Sequence, residues 1–174
     1  MVAQSLVTEN AERDQQEARQ ILTFLLNEQN YGLELIKVQE IRGFTQITPI
    51  PNMPAHIKGV MNLRGSVLPV VDMRIKFGME SASYTKFTVI IIAHSRGKSV
   101  GLVVDAVSDV LSASGDKIQP PPDFGNHTDS RFVQGLINSD EKLVVLLDLD
   151  RLLVESEVAM PSVGPESQVN ANSN

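Results

Sequence analysis

The chain contains two copies of one pattern of glycine, apolar and acidic residues. In the first part of the pattern the copies are 69 positions apart, and the matched residues are Gly32, Leu33, Leu35, Val38 and Ile41 with Gly101, Leu102, Val104, Val107 and Val110. In the second part they are 76 positions apart, and the matched residues are Gly59, Val60, Asn62, Leu68, Val70, Val71 and Asp72 with Gly135, Leu136, Asn138, Val144, Leu146, Leu147 and Asp148. One insertion, in the loop that contains Pro120 to Phe124, explains the change of spacing. The pattern predicts two related structural units, at roughly 32–77 and 101–153.

The repeated segments have the residue pattern of β-strands. Residues 31–35 alternate apolar and polar side chains, residues 66–71 form an apolar run, and residues 87–93 are strongly apolar and rich in β-branched residues. Each unit holds about five short strands at the spacing of a barrel or a sandwich. A unit of this size is small for a stable core, so we expect the two units to pack on each other through an apolar interface. A single antiparallel sandwich with coincidental symmetry is the alternative.

The segments between the strands carry their own signals. Residues 45–54 contain three prolines, which predicts an extended connection or a sheet edge because proline cannot donate a ladder hydrogen bond. Asp72 and Asp148 follow apolar strands at equivalent positions of the repeat. We expect each of them to cap a short helix, the second one near the C-terminus.

The composition favours a packed protein that contacts other proteins. The 174 residues are 42% hydrophobic, which suits one domain or two small ones. The net charge of −6 lies mostly near the two ends, so the body carries no basic stripe for nucleic acid or an anionic membrane. The lack of cysteine excludes a disulfide scaffold and a thiolate site. We predict flexible tails at 1–18 and 159–174, and we expect neither secretion nor a membrane span.

The sequence offers little for catalysis. The three histidines, His56, His94 and His127, lie far apart and lack the spacing of metal ligands. Neither a nucleophile elbow nor a phosphate-binding glycine loop is present in the sequence. We therefore expect no enzymatic activity, no metal and no cofactor. A small-ligand-binding β-barrel is a rival, and it requires a convergent cluster of carboxylates or histidines that the sequence does not show. A structural self-assembling protein is a third alternative.

A polar turn, residues 62–65, separates two apolar segments. Asn62 has a partner in the second repeat, so we expect it to shape the turn. Arg64 has no such partner. It is either a solvated turn residue or a bidentate donor held at a fixed angle by the positive φ that Gly65 permits. Phe124, which follows three prolines, is either a lid over the core or an exposed anchor.

Four stretches carry a resemblance to a known family: LIKVQEIRG at 35–43, IKGVMNLRG at 57–65, PVVDMR at 69–74 and VVDAVSDV at 103–110. The N-L-R-G sequence followed by a P-V-V-D strand is the most specific of them. Together they closely resemble CheW, the bacterial chemotaxis coupling family. The resemblance implies an all-β fold of two SH3-like five-stranded β-barrels on a shared hydrophobic interface, with short helices, in a CheW-like domain at 19–155.

The resemblance also implies a function. It is that of a non-enzymatic, cytoplasmic adaptor that couples transmembrane chemoreceptors to the chemotaxis histidine autokinase and helps to build the membrane-associated signalling array. A same-fold adaptor for another chemosensory-like pathway, such as twitching motility, is the alternative. The implied partners are the cytoplasmic tip of a methyl-accepting chemoreceptor and the kinase regulatory domain. No nucleic acid and no direct membrane insertion are implied, and we expect the isolated chain to be monomeric.

Site residues follow from the same resemblance. The receptor tip is implied to dock in a groove between the barrels, at Val38, Glu40, Asn62, Arg64, Gly65, Val100 and Val107. The kinase regulatory domain is implied to pack barrel end to barrel end, at Ile47, Gly59 and Phe124, which favours an anchor over a lid at Phe124. We expect Val38 and Val107 to form the apolar wall of the groove. Arg64 is expected to pair with a carboxylate of the receptor helix, and Glu40 with a base.

Overall fold

The computed structural model describes residues 18–80, 83–122 and 131–153. Its strands are β1 (Arg19–Leu26), β2 (Gln29–Glu34), β3 (Val38–Gly43), β4 (Ile57–Leu63), β5 (Ser66–Asp72), β6 (Val89–Ser95), β7 (Lys98–Val104), β8 (Ala106–Ala113), β9 (Ile118–Gln119), β10 (Val133–Ser139) and β11 (Lys142–Leu147). Helical structure in these residues comprises α1 (Met73–Lys76), 3₁₀ segments at Leu35–Lys37, Gly115–Lys117 and 131–132, and residues 149–153. The predicted all-β class is confirmed. The predicted tails, apart from Ala18, lie outside the described residues.

The strands form two sheets with matching strand orders. The six-stranded sheet has the order β8-β1-β2-β11-β10-β9, and the five-stranded sheet has the order β3-β6-β7-β5-β4. Under the repeat, the first five strands of one order correspond one by one to the strands of the other. Both sheets contain a single parallel pair among their described strands, β2 with β11 and β5 with β7.

Each sheet contains a hairpin from the other repeat. The β1–β2 hairpin of the first repeat pairs with β8 and β11 of the second repeat. The β6–β7 hairpin of the second repeat pairs with β3 and β5 of the first. The chain therefore passes between the sheets twice, and we call these places the first crossover (Leu35–Lys37) and the second crossover (Asp105). The boundaries given above for the domain and the repeat units stay predictions.

Four tight turns close the hairpins. In each of them both central residues have positive φ, the geometry that matches the twist of paired strands in a two-residue hairpin. These residues are Asn27 and Glu28, Arg64 and Gly65, Arg96 and Gly97, and Asp140 and Glu141. The positive φ expected at Gly65 is observed, at 88°. For the other three turns the residue pattern predicted a turn or hairpin without specifying this geometry.

Two matched glycines show that the repeat has a packing cause. A Cβ atom on Gly32 would lie 2.6 Å from Cγ2 of Ile21, and one on Gly101 would lie 2.9 Å from Cγ2 of Ile90. Ile21 and Ile90 are themselves 69 positions apart. Both copies thus need a glycine where an isoleucine of the neighbouring strand packs against the backbone.

Three apolar clusters form the core. The largest, which we call the shared core, contains residues of both sheets together with Leu149, Leu152 and Leu153. The other two clusters lie on the far faces of the five-stranded and the six-stranded sheet. Strand β6 is continuously apolar because both of its faces are buried. Ile91 packs in the shared core on one face, and Ile90 and Ile92 pack in the second cluster on the opposite face of the five-stranded sheet.

The start of β6 differs from the prediction. The apolar pattern predicted a strand over 87–93, whereas the strand begins at Val89. Phe87 is 62% exposed and belongs to a turn in which the Thr85 amide donates to Oγ1 of Thr88 at 2.9 Å. The local side-chain hydrogen bonds of the threonines outweigh the strand propensity of Phe87.

Candidate protein-binding site

The turn between β4 and β5 presents Arg64 at a defined place. The Gly65 amide donates to Oδ1 of Asn62 at 2.9 Å, so Asn62 shapes the turn as its place in the repeat predicted. Arg64 itself has φ of 50°. Its side chain is 76% exposed, which leaves most of the guanidinium donors accessible to a partner.

Glu40 lies between two arginines. Its Oε2 is 3.0 Å from Nη2 of Arg64, and its Oε1 is 3.6 Å from Nε of Arg42. Arg64 and Glu40 were expected to make separate contacts with a partner, but the structure pairs them with each other. Exposed ion pairs contribute little to stability. The main effect of the Arg64–Glu40 pair is therefore to orient the Arg64 side chain. The three side chains together carry one net positive charge.

Val38 and Val107 lie at equivalent places on the edge strands β3 and β8. Val38 is opposite Ala93, and Val107 is opposite Phe24. Cross-strand partners point to the same face of a sheet, and both partners belong to the shared core. Both valines are half-buried against that core. Their role as the wall of a groove stays a prediction.

Two further apolar residues continue this surface. Ile41 is opposite Ile91 and Val110 is opposite Leu22, so they too point to the shared-core side of their sheets. They are 43% and 44% exposed. We call the four residues Val38, Ile41, Val107 and Val110 the apolar rim. Ile41 and Val110 were missed as site residues, although the repeat matches them and shows both to be apolar on strands.

The polar residues lie on the other face of β3. Glu40 is opposite Ile92 and Arg42 is opposite Ile90, and these two isoleucines face the interior of the five-stranded sheet. A partner that contacts the edge of β3 therefore meets Ile41 on one side of the strand and the Glu40 ion pairs on the other.

Val100 does not lie on this surface. It is 1% exposed within the shared core, opposite Ala93 in the β6–β7 hairpin. A direct contact between Val100 and a partner is therefore inconsistent with the fold. A change of volume at Val100 would shift its neighbours, because protein interiors are close-packed.

The residues expected at the kinase contact share one region as far as the structure describes them. Gly59 is buried, with φ of 141°, and a Cβ atom on it would lie 2.0 Å from the Thr48 carbonyl oxygen. Thr48 and Val60 exchange two backbone hydrogen bonds of 2.9 Å. Ile47, next to Thr48, is half-buried against the interior of the five-stranded sheet. Phe124 lies outside the described residues.

A buried ion-pair network was not expected from the sequence. Asp72 caps α1 by accepting from the Arg74 amide, as predicted, but it is also fully buried beside the Arg74 guanidinium at 3.1 Å. Nη1 of Arg74 is 3.0 Å from Oδ1 of Asp105, and the Tyr84 hydroxyl donates to Asp72 at 3.3 Å. Burial alone would lower the pKa of Arg74, but the hydrogen bond and charge of Asp72 with the charge of Asp105 raise it. Burial and the charge of Asp72 raise the pKa of Tyr84.

A second polar cluster surrounds Asp150. Its carboxylate accepts hydrogen bonds from Ser95 Oγ and from Nζ of Lys37 at 3.1 Å, and it lies 3.7 Å from Nε of Arg96. The Ser95 hydrogen bond, with Lys37 and Arg96, lowers the pKa of Asp150 despite partial burial. The other helix cap, Asp148, accepts from the Arg151 amide at 3.3 Å.

The comparison with known families decides the identity. A family model described as the CheW-like domain matches residues 20–157. The chain belongs to the CheW-like family. Chemotaxis protein CheW of Klebsiella aerogenes is 42% identical over 142 residues, which cover 82% of this chain and 86% of that protein. The probable chemotaxis protein CheW of Rhizobium etli is 40% identical over 139 residues, covering 80% and 90%.

A solved structure supports the same assignment. The crystal structure of scaffolding protein TtCheW from Thermoanaerobacter tengcongensis matches with a TM-score of 0.70 and 37% sequence identity, over 75% of this chain and 84% of that chain. The chain is thus a CheW-type chemotaxis coupling protein. Among its described residues no helix is long and apolar enough to cross a membrane. The same residues contain no group of three or more side chains placed to bind a metal ion.

Proposed function

We propose that this CheW-type protein is a non-enzymatic cytoplasmic adaptor that couples transmembrane chemoreceptors to the chemotaxis histidine autokinase within a signalling array. The observation that carries the proposal is the apolar rim beside Arg64. Four aliphatic side chains line the edges of two sheets, two of them about half exposed, and a guanidinium that is 76% exposed lies across β3 from them. An apolar surface with one fixed polar donor suits an amphipathic helix.

The receptor tip is the partner proposed for this surface. Its apolar face would cover the rim, and a carboxylate on the helix would pair with Arg64, which offers a bidentate fork. Glu40 already pairs with Arg64 at 3.0 Å. We therefore assign Glu40 the role of orienting Arg64 instead of pairing with a base on the receptor.

The kinase regulatory domain is proposed to bind at the other end of the β4–β5 hairpin. Gly59 lies near the start of β4, away from the Arg64 turn that follows the strand, and Ile47 is next to Thr48, which pairs with Val60. Phe124 joins them by resemblance to the family. Contact at one end and receptor contact at the other would let the adaptor hold both partners at once, which is what an array requires.

The sharpest test separates the two contacts. Wild-type protein and Arg64→Glu are each incubated with a receptor signalling-tip fragment and, separately, with the kinase regulatory domain. Lys142→Glu is the matched control, because it makes the same charge change beside the equivalent turn of the other sheet. Arg64→Glu should lose capture of the receptor tip and activation of the kinase, while kinase-domain binding and the thermal unfolding temperature stay unchanged.

Unchanged receptor capture together with unchanged kinase activation by Arg64→Glu would show that the receptor contact lies elsewhere. For the kinase side, Phe124→Ala should weaken array formation and spare receptor binding. Loss of both activities in Phe124→Ala would argue for a lid over the core and against an anchor.

A further inference from the structure

The two crossovers lead directly into the two walls of the apolar rim. The first crossover ends at Lys37, and the next residue is Val38 at the start of β3. The second crossover is Asp105, two residues before Val107 on β8. The contacts that hold the first crossover therefore also position Val38, and those that hold the second crossover position Val107.

The second crossover is held by contacts of Asp105, one of which is to a buried guanidinium. Asp105 is 3.0 Å from the Arg74 guanidinium, which is 1% exposed. The Asp105 carboxylate also accepts from the Asn27 amide at 2.8 Å, and its own amide donates to the Leu25 carbonyl at 3.0 Å. These contacts tie the start of β8 to α1 of one sheet and to the β1–β2 hairpin of the other.

The first crossover packs Leu35 against the shared core and carries a polar clamp at Lys37. Lys37 Nζ donates to Asp150 at 3.1 Å and to Ser95 Oγ at 3.3 Å, and Ser95 in turn donates to Asp150. Asp150 belongs to the helical residues 149–153, whose leucines pack in the shared core. The side chains of Lys37 and Asp150 are 29% and 26% exposed, so both partners of this clamp contact solvent, whereas in the other clamp the Arg74 guanidinium is 1% exposed.

We propose that Asp150 is a positioning residue for partner binding, which acts by holding Lys37 and thereby fixing the β3 wall of the rim. The proposal rests on the proposed function in one respect, namely that the rim is the surface a partner covers. Asp150 itself need not touch the partner. Its carboxylate fixes where Val38 begins the strand, and the C-terminal helix becomes part of the binding apparatus through that contact.

The test measures binding and local structure together. Asp150→Asn, Asp150→Glu and the control Asp148→Asn are titrated with a coiled-coil fragment of a chemoreceptor signalling tip. Asp148 caps the helical residues 149–153, and Asn is as good a helix cap as Asp. The control therefore leaves both this helix and the Lys37–Asp150 contact intact. Asp150→Asn should bind roughly 3- to 10-fold more weakly, the range expected for the loss of one ordinary intramolecular hydrogen bond. Asp150→Glu should recover at least half of the loss, and Asp148→Asn should bind as wild type does.

Amide chemical shifts supply a readout that general destabilisation would not move. In Asp150→Asn they should change over residues 35–41 and stay near wild-type values over 107–111. Wild-type affinity in Asp150→Asn, or shifts spread equally over β3 and β8, would overturn the positioning role. Should Asp150→Asn fail to fold, Lys37→Met removes the same contact from the other side and carries the same expectations.

One further variant separates failure of this inference from failure of the proposed function. Val38→Asp places a charge in the rim itself. Wild-type receptor-tip binding by Val38→Asp would mean that the rim is not the receptor site. Loss of binding in Val38→Asp combined with wild-type binding in Asp150→Asn would leave the proposed function standing and overturn the positioning role alone.

Discussion

Arg74 and Asp150 hold the same position in the two repeats and carry opposite charges. Each is the second residue of the short helical segment that follows the last strand of its repeat. Arg74 clamps the second crossover through Asp105 with its own guanidinium 1% exposed, and Asp150 clamps the first crossover through Lys37 at a solvent-contacting place. The fold thus uses ion pairs of opposite polarity and different burial for the same purpose.

Arg74→Met should destabilise the protein strongly. The substitution keeps the volume of the side chain but leaves the fully buried Asp72 carboxylate without its cation. Breaking a buried pair in this way costs about 3–5 kcal/mol of unfolding free energy. Urea unfolding measures it, with Arg151→Met as control, because Arg151 is 64% exposed and its pair with Asp148 is at the surface. A loss for Arg74→Met as small as that of the control would contradict a structural role for the network.

Gly59→Ala should destabilise by about 3 kcal/mol, since the new Cβ meets a backbone atom that cannot move away cheaply. The Thr48 carbonyl oxygen would be 2.0 Å from it, and the φ of 141° is unfavourable for alanine. Gly115→Ala is the control, because a Cβ there meets nothing within 4 Å. Chemical denaturation of both variants decides the matter. A stable Gly59→Ala that still loses kinase binding would instead make Gly59 a direct contact.

The contribution of Asp150 to stability should depend on pH. Its pKa is lowered in the folded protein, so the folded state favours the ionised carboxylate more than the unfolded state does. The stabilisation is therefore present above the ordinary value of 3.8 and is lost as the pH falls through the lower folded pKa. At neutral pH the unfolding free energy of wild type should exceed that of Asp150→Asn by about 1 kcal/mol. The difference should shrink as the pH falls below 3.8. Denaturant unfolding at a series of pH values tests this, and a difference independent of pH would refute it.

Charging the exposed rim should abolish receptor binding without unfolding the protein. Ile41→Asp and Val110→Asp alter residues that are 43% and 44% exposed, so little core packing is lost. Leu143→Asp is the matched control, because Leu143 is 57% exposed on β11, away from both edge strands. Receptor-tip capture and a thermal unfolding curve are measured for all three. Equal capture by the rim variants and the control would exclude the rim as the receptor surface.

Separated halves of the chain should fold only together. A fragment of residues 1–80 contains β1 to β5, and its β1–β2 hairpin lacks the β8 and β11 strands with which it pairs. A fragment of residues 81–174 contains β6 to β11, and its β6–β7 hairpin lacks β3 and β5. Each fragment alone should show the circular dichroism of an unfolded chain, and an equimolar mixture should recover the β spectrum. Cooperative unfolding of either fragment by itself would show that the hairpin exchange is dispensable.

Features with a local cause were predictable from the residues. The alternation of apolar and polar side chains, the glycine of the Asn62–Gly65 turn and the capping aspartates act within a few residues, and the structure shows each of them. Phe87 is the instructive exception, since its strand propensity was local but so were the competing threonine hydrogen bonds.

The sequence by itself determined that the chain is all-β and that it contains an internal repeat. It also determined that Arg64 lies on a turn and that the other repeat has no arginine at the matching position. The tertiary structure decided which sheet each hairpin joins, that Val100 is buried, that Glu40 pairs with Arg64, and that Arg74 and Asp150 clamp the crossovers. The reason is physical. A strand pattern specifies which face of a strand is apolar, but partners tens of residues away in the chain are selected by the packing of the whole core and by the pairing of charges that this packing brings together.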